Sequence, residues 1–396
     1  MPGLAELPDR TWQQCQIVLM FTACARPAPC LLLPIFSARP TRASTASTGF
    51  LIRMKAPHRT SITDLARALN LSPSTVSRAL TGHPQVSEAT KQRVRELAEQ
   101  LHFQPNQLAA ALRRGRSNTI GVLVPYITGH FFPEVVNGIA IEASRTGHNV
   151  MICQSNEDVR QEQRNIELLM NAQVEGILVS LASTTQDFSH FDAVRRAGTP
   201  LVFFDRIVED MAGPYTSAVV LDDHAGAYAA VAHLAGQGYR RIAHFSGPLH
   251  LNIHRNRHQG YLDALRDHGL SAPEELVFVA DLNQETGTLG MRQLLQLAEP
   301  PDAVFSSNDL AAVGAMQVLK AHGRRIPADV AVVGFSNEAF TALTEPTISS
   351  VDQRCHLMGL TAVQQLLRLL EAPGSAPLPP VVLTPELLVR ASSQRL

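Results

Sequence analysis

The chain has 396 residues, enough for two or three domains, and 45% of them are hydrophobic, enough for more than one buried core. Its formal net charge is −1, and its five cysteines show neither metal-site spacing nor an even disulfide framework. No apolar run reaches the ~18 residues that span a membrane. These features exclude a wholly basic chain and a disulfide-stabilised secreted domain, and they favour a reduced, cytoplasmic setting.

The first 58 residues differ in composition from the rest of the chain. They carry four prolines between residues 27 and 40, a Ser/Thr-rich run at residues 41–48 and two short apolar stretches. We interpret residues 1–58 as a disordered or mis-assigned N-terminal extension, with Met54 as the native start. The alternative is a signal peptide, in which Arg10 precedes an apolar run and residues 23–25 form a small-residue cleavage site.

Residues 59–104 predict three helices. The first ends at the Asn70-Leu71 turn, the second follows with Ser72 as N-cap and Pro73 at its first position, and the third covers residues 88–101. A short second helix with small polar residues and one arginine on its outer face suits the major groove of DNA. The segment therefore predicts a helix-turn-helix headpiece. Its candidate DNA contacts are Thr63, Pro73, Ser74, Thr75, Ser77 and Arg78.

Residues 105–117 predict a short linker helix that ends in three arginines. From Arg59 to Ser117 the chain has nine basic and four acidic residues, a net charge of +5 in a chain whose total is −1. Positive charge is therefore concentrated where a phosphate backbone would lie. The candidate DNA contacts in this linker are Asn106, Ala109, Leu112 and Arg114.

From residue 118 to 392 the pattern changes. Ten apolar, β-rich runs alternate with amphipathic helices, which indicates parallel strands buried on both faces. Ten strands exceed one sheet, so we predict two doubly wound lobes with a cleft between them. Ligands of such sheets bind beyond the carboxyl ends of the strands. This places Asp205-Arg206, Asp222-Asp223, Asn308-Asp309 and residues 335–337 along one cleft.

Four motifs in the headpiece and linker resemble the lactose-repressor/galactose-repressor (LacI/GalR) family. They are T-D-L-A at residues 63–66, S-x-x-T-V-S-R at 72–78, V-S at 86–87 and P-N-x-x-A-x-x-L at 105–112. The resemblance extends from Ser61 to about Leu388. It implies a homodimer whose headpieces bind a palindromic operator, and a hinge helix that folds in the minor groove. It also implies that Leu112 is the wedge that opens a central base step.

The same resemblance implies the fold of the large region. It is an α/β, two-lobed, periplasmic-binding-protein-like core for ligand binding and dimerisation, beside the all-α headpiece. We expect lobe 1 at about 118–215 plus 352–375 and lobe 2 at about 216–345 plus 376–392. The chain would cross between lobes near residues 215–218 and 340–344 and return at about Asp352.

The resemblance also assigns the cleft residues. Arg257 would hold ligand hydroxyls or carboxylates through its planar fork, which a lysine cannot reproduce. Ser336 stands where sugar-binding members commonly have an aspartate, and the positions that hold a purine in another branch are the apolar Leu251 and Ile253. A sugar, a sugar acid or a nucleoside stays open as effector, and a sugar or sugar derivative is favoured. The candidate ligand contacts are Phe131, Phe132, Asp205, Arg257, Asn308, Ser336 and Gln353.

Other function classes have weaker support in the sequence. No catalytic constellation or phosphate-binding loop stands out, so we expect no enzyme activity and no cofactor. His254 and His258 share a helical face, but two histidines are too few for a metal site, and we expect none. An exported solute-binding protein would share the cleft but would not need the headpiece. We therefore predict a sequence-specific transcription regulator, favoured as a repressor, that a small-molecule effector controls.

Overall fold

A computed structural model describes residues 60–101, 103, 117–209, 213–372, 374 and 376–395, and the backbone of a short strand, β1 (Ile17–Leu19). The chain divides into two compact units, residues 22–117 and residues 1–21 with 118–396. None of the described helices is long and apolar enough to cross a membrane. The linker helix predicted in residues 105–117 lies outside the described residues except for Ser117.

The headpiece has the three predicted helices, α1 (Ile62–Leu69), α2 (Pro73–Leu80) and α3 (Glu88–Gln100). Each begins at a serine whose hydroxyl accepts from a backbone N–H three residues later, and these serines are Ser61, Ser72 and Ser87. The helices bury a small apolar core that includes Leu65, Ala66, Val76, Ala79 and Val94.

One headpiece prediction is wrong. Ser77 was expected on or near the outer face of α2, but its side chain is only 8% exposed. The physical reason is that α2 packs against both α1 and α3, so it buries more than one face of a short helix.

The second unit alternates strands and helices. Its strands are β2 (Thr119–Val124), β3 (Asn149–Gln154), β4 (Gly176–Val179), β5 (Leu201–Phe204), β6 (Thr216–Leu221), β7 (Ile242–Ser246), β8 (Val277–Val279), β9 (Ala303–Ser306), β10 (Ala331–Phe335), β11 (Ser349–Asp352), β12 (Val381–Leu383) and β13 (Glu386–Leu388). Its helices are α4 (Phe131–Arg145), α5 (Val159–Asn171), α6 (Phe191–Arg196), α7 (Asp223–Gly236), α8 (Asn252–Asp267), α9 (Gln284–Leu294), α10 (Asp309–Ala321) and α11 (Cys355–Glu371).

Two sheets form the lobes, as predicted. Lobe 1 has the order β1-β3-β2-β4-β5-β6-β12 and lobe 2 the order β13-β11-β10-β9-β7-β8. All neighbouring strands are parallel except β11 and β13. The central strands are buried along their whole length, for example β4, β5 and β9. Parallel strands covered by helices on both faces explain the continuous apolar runs in the sequence.

The structure corrects the predicted lobe boundaries. β6 was placed in lobe 2, but it pairs in parallel with β5, and β12 extends the same sheet by pairing with β6. The first crossing therefore lies after β6, and residues 339–342 form a 3-10 helix between two strands of lobe 2 instead of crossing. The return after Asp352 is confirmed, since α11 packs on β4, β5 and β6. Strand pairing between distant segments sets these boundaries.

β1 lies at the edge of lobe 1, where Ile17–Leu19 pair in parallel with residues 150–152 of β3. It is the described part of the predicted N-terminal extension. Whether residues 1–53 are a disordered arm or precede the native start stays a prediction.

Candidate nucleic-acid interface and ligand cleft

The outer face of the headpiece carries four of the six candidate contacts in α1 and α2. Thr63, Pro73, Ser74 and Arg78 are exposed, and Thr75 is half-buried. The side chain of Arg78 has no hydrogen-bond or ion-pair partner among the described residues, so its five N–H donors are available to a base edge or phosphate. The Ser72 hydroxyl lies 2.8 Å from those of Ser74 and Thr75, so the exposed start of α2 is polar.

Asn106, Ala109, Leu112 and Arg114 lie outside the described residues. Their assignment rests on the linker motif and its charge alone.

All seven candidate ligand contacts line one cavity between the two lobes. The cavity has a volume of about 490 Å³. Each of the seven follows the carboxyl end of a strand or lies on the helix after one, where doubly wound sheets bind ligands. The residues that meet here are Phe131, Phe132, Asp205, Arg257, Asn308, Ser336 and Gln353.

Arg257, on α8, is the centre of the lobe-2 wall and is only 3% exposed. Its Nε donates to Asp223 Oδ1 at 2.7 Å and its Nη1 to the Ser307 carbonyl at 2.8 Å. Its Nη2 donates to Gln353 Oε1 at 3.1 Å, and its Cζ lies 3.8 Å from the centre of the Phe335 ring. Two of the five guanidinium N–H donors have no partner among the described residues, and the three partners fix the orientation of the group.

Gln353 joins this arginine to Ser336. Its Nε2 donates to the Ser336 hydroxyl at 2.7 Å, while its Oε1 accepts from Arg257. Ser336 has a φ of 118°, a conformation that L-residues rarely adopt, so its position after β10 is held by its surroundings. The serine contributes a neutral hydroxyl to the lining of the cavity.

Asp205 and Arg206 come directly after β5 and face the cavity from lobe 1. Burial raises the pKa of Asp205 to about 6, although the cations Arg206 and Arg257 oppose this. Arg206 forms a bidentate contact with Glu157, with Nη1 at 2.9 and 2.8 Å from the two carboxylate oxygens. Both buried arginines of the cleft therefore have a carboxylate partner of their own.

Asn308 is the N-cap of α10, a role that the sequence analysis did not assign to it. Its Oδ1 accepts from the Ala311 N–H at 2.9 Å and its Nδ2 donates to the Leu282 carbonyl at 2.7 Å. Asp309 is fully buried instead and accepts from the Glu338 N–H at 2.9 Å and the Ser350 hydroxyl at 2.8 Å. Burial raises the pKa of Asp309 to about 7.

Aromatic side chains form the lobe-1 wall. Phe131 is half-buried, whereas Phe132 is 1% exposed and packs edge-on against Phe131 and Tyr126 at ring separations of 4.9 and 5.0 Å. Tyr126 is 36% exposed. Phe131 and Tyr126 therefore offer the apolar surface that a ring-shaped ligand could contact, with Phe132 behind them as core.

Three side chains of the α8 region link the two lobes across the cleft. Asn252 donates to the Asp205 carbonyl at 2.9 Å and accepts from the Ile207 N–H at 3.0 Å. His250 contacts the Ser183 carbonyl at 2.7 Å through Nε2. Arg255 pairs with Glu209 in the same region. These contacts must rearrange when the angle between the lobes changes.

Several residues that line this cavity were not among the ligand contacts predicted from the sequence. They contribute polar atoms from separate strands and helices. Only His254 could have been identified from its position in the sequence, because it lies one helical turn before Arg257. The described residues contain no group of three or more side chains that could hold a metal ion. The missed residues are Tyr126, Glu157, His254 and Ser307.

Comparisons with known proteins agree with this arrangement. Residues 61–106 match the family described as bacterial regulatory proteins, lacI family, and residues 231–393 match the periplasmic binding protein-like domain. The HTH-type transcriptional repressor CytR of Escherichia coli (strain K12) is 32% identical over 304 residues, which are 77% of this chain and 88% of CytR.

The chain belongs to the LacI family of bacterial regulatory proteins. Among solved structures, the complex of the transcriptional regulator CelR with cellobiose superimposes with a TM-score of 0.64 at 30% identity, over 84% of this chain and all of CelR. The Lac repressor dimer bound to operator and the anti-inducer ONPF gives a TM-score of 0.76 at 24% identity, over 85% of this chain and 100% of that one. The LacI-family fold is therefore shared by both units.

Proposed function

We propose that this LacI-family regulator represses transcription as a homodimer on a pseudo-palindromic operator, and that a carbohydrate or carbohydrate derivative controls it. The observation that carries the proposal is the buried polar cluster around Arg257, in a chain whose other unit presents an exposed Arg78 that has no side-chain partner among the described residues. Such a chain can bind a small polar molecule at one place and DNA at another. It acts by binding, without catalysis, and in the cytoplasm.

The dimer follows from the headpiece. One chain supplies one helix-turn-helix unit, and two-fold symmetric dimers place two such units on half-sites about one helical turn apart. We propose an operator of about 14–20 base pairs. Light scattering on the full chain tests this, because a monomer that bound operator at nanomolar concentration would contradict it.

The effector class follows from the cavity. Its aromatic lobe-1 wall and its hydrogen-bonding lobe-2 wall suit a ring with hydroxyl groups, and Asp205 can accept from a hydroxyl. CelR, which shares the fold at 30% identity, was solved with cellobiose. We propose Phe131, Asp205, Arg257, Asn308, Ser336 and Gln353 as ligand contacts, with Phe132 supporting Phe131.

Control of DNA binding requires that the ligand favours one of two lobe arrangements. The contacts of Asn252, His250 and Arg255 across the cleft would differ between these arrangements. We propose that closure changes the spacing of the two linker segments at residues 106–112, which lie outside the described residues. Coupling of this kind is typically about 1–3 kcal/mol, or a 5–150-fold change in operator affinity.

The deciding experiment measures operator affinity by fluorescence anisotropy with and without a panel of D-glucose, D-ribose, cellobiose, uridine and D-glucuronate. Arg257→Lys keeps the charge but loses the planar fork, so it should abolish the response. Arg266→Lys, on the exposed end of the same helix, is the matched control and should keep it. If no member of the panel changes operator affinity, a protein co-regulator becomes the better account.

A further inference from the structure

Several buried polar atoms at the cleft lack a partner. Among the described residues, eight buried side-chain nitrogen or oxygen atoms have no hydrogen-bond partner. Two of them, His254 Nδ1 and Ser307 Oγ, belong to residues that line the cavity on the lobe-2 side. Buried polar groups are nearly always paired in folded proteins, so unpaired ones at a cavity wall point to a partner that arrives with a ligand.

Both residues lie next to Arg257. His254 precedes it by one turn on the same face of α8, and the Ser307 carbonyl accepts from Arg257 Nη1 at 2.8 Å. The imidazole of His254 packs against the bare backbone of Gly247, where a Cβ would lie 2.3 Å from Nε2. The ring is therefore confined on that side.

Beside these two residues, the charge of Arg257 is paired and the imidazole of His254 is uncharged. The charge of Arg257 faces the Asp223 carboxylate at 2.7 Å. His254 is 8% exposed, and burial together with the nearby Arg257 lowers its pKa well below the usual range, so the imidazole is uncharged at neutral pH. A neutral imidazole and a serine hydroxyl can each donate or accept a hydrogen bond.

We propose that His254 and Ser307 form a specificity subsite that binds an uncharged hydroxyl group of the effector beside Arg257. The inference rests on the proposed effector role of the cleft. A hydroxyl can both donate and accept a hydrogen bond, so it can supply a partner of the kind that each of these atoms lacks. A carboxylate would lose its hydration next to an arginine whose charge is already neutralised, which disfavours acidic analogues.

The test uses Ser307→Ala and His254→Leu in the full-length protein, with titration calorimetry on D-glucose, D-ribose, cellobiose, uridine and D-glucuronate. We expect each variant to bind the neutral probes about tenfold more weakly, the loss of one net hydrogen bond. Ser155→Ala and His258→Leu are matched controls: each removes a buried atom that also lacks a partner, but neither residue lines the cavity. The controls should bind as the wild type does.

The unliganded protein gives a second readout. If the two atoms have no partner, then Ser307→Ala should not lower the melting temperature of the ligand-free protein. A clear fall would show that the hydroxyl is already bonded within the protein, and it would overturn the proposal. Wild-type affinity in both cleft variants, or tighter binding of D-glucuronate than of D-glucose, would overturn it as well.

The outcomes separate this inference from the proposed function. If the neutral probes bind and the variants are unaffected, the subsite is wrong but the carbohydrate effector stands. If no probe binds the wild type, the effector class fails and the hydroxyl subsite fails with it.

Discussion

The headpiece and the cleft use arginine in opposite ways. Arg78 is exposed and has no partner among the described residues, whereas Arg257 is 3% exposed and donates to three partners. DNA brings its own dense charge, so an exposed cation can contribute to binding without a partner arranged beforehand by the protein. A small ligand brings few interactions, so the protein must arrange and desolvate its partners beforehand. Mutations of the cleft ion pair should therefore lower the free energy of unfolding, whereas mutation of Arg78 should weaken DNA binding and leave stability nearly unchanged.

The largest effect should come from removing the carboxylate partner of Arg257. Asp223→Asn leaves a buried guanidinium without its counter-charge, and we expect a loss of about 3–5 kcal/mol in the free energy of unfolding. Urea unfolding of the full chain measures this. Asp329→Asn is the matched control, since Asp329 pairs with the exposed Arg325, and it should have a much smaller effect. Equal losses of unfolding free energy in the two variants would contradict the expected difference between a buried and an exposed ion pair.

The cleft domain should also respond to pH through Asp309. Burial raises its pKa to about 7 from the ordinary 3.8, so the folded state binds a proton that the unfolded state releases between these values. This contribution is present below pH ~4 and is lost as the pH rises to ~7. The wild type is compared with Asp309→Asn at each pH. The opposing contributions of the buried histidines are the same in both proteins, so they cancel in the comparison. As the pH rises from ~4 to ~7, the unfolding free energy of the wild type minus that of Asp309→Asn should fall by up to about 1.4 kcal/mol per pH unit. A difference that does not change with pH would contradict the raised pKa of Asp309.

In the headpiece, Arg78→Ala should act on DNA binding and leave stability nearly unchanged, because the side chain supports no described partner. We expect a loss of about 1–3 kcal/mol at the operator and a smaller loss on unrelated DNA. Arg114→Ala should weaken binding to all DNA about equally and reduce the salt slope by about one. Titrations at several salt concentrations distinguish the two patterns, and an exchanged pattern would show that the roles are reversed.

The wedge assignment in the linker has a separate test. Leu112→Ala should keep the headpiece folded but reduce DNA bending and specific affinity, since an inserted apolar side chain kinks the duplex. Fluorescence energy transfer across a labelled operator measures the bend. An unchanged DNA bend angle would contradict the assignment of Leu112 as the wedge residue.

The smallest effect should come from deleting residues 1–53. Folding, dimerisation and operator binding should persist, because the headpiece begins with its own cap at Ser61. The deletion removes β1, an edge strand of three residues, so a deletion of residues 1–16 that keeps β1 is the control. A lower melting temperature in the longer deletion alone would assign β1 a structural role, and native protein that begins at Met1 by mass spectrometry would contradict the Met54 start.

The sequence predicted the headpiece well because its determinants are local. Ser61, Ser72 and Ser87 each cap a helix through a contact three residues away, and the left-handed Asn70 ends α1. The buried position of Ser77 escaped prediction, since it depends on how two other helices pack around α2. The ten apolar runs likewise predicted β2 to β11, but β1, β12 and β13 have only three residues each and were missed.

The cleft shows what sequence patterns alone leave open. They indicated which residues follow the strands, and family resemblance named seven that do line one cavity. They did not show that Arg257 pairs with Asp223 and Gln353, which are 34 and 96 positions away, or that Asn308 and not Asp309 caps α10. Such pairs depend on which strands neighbour one another and on what burial costs a charged group. Local periodicity carries no information about either, so only the folded chain decides them.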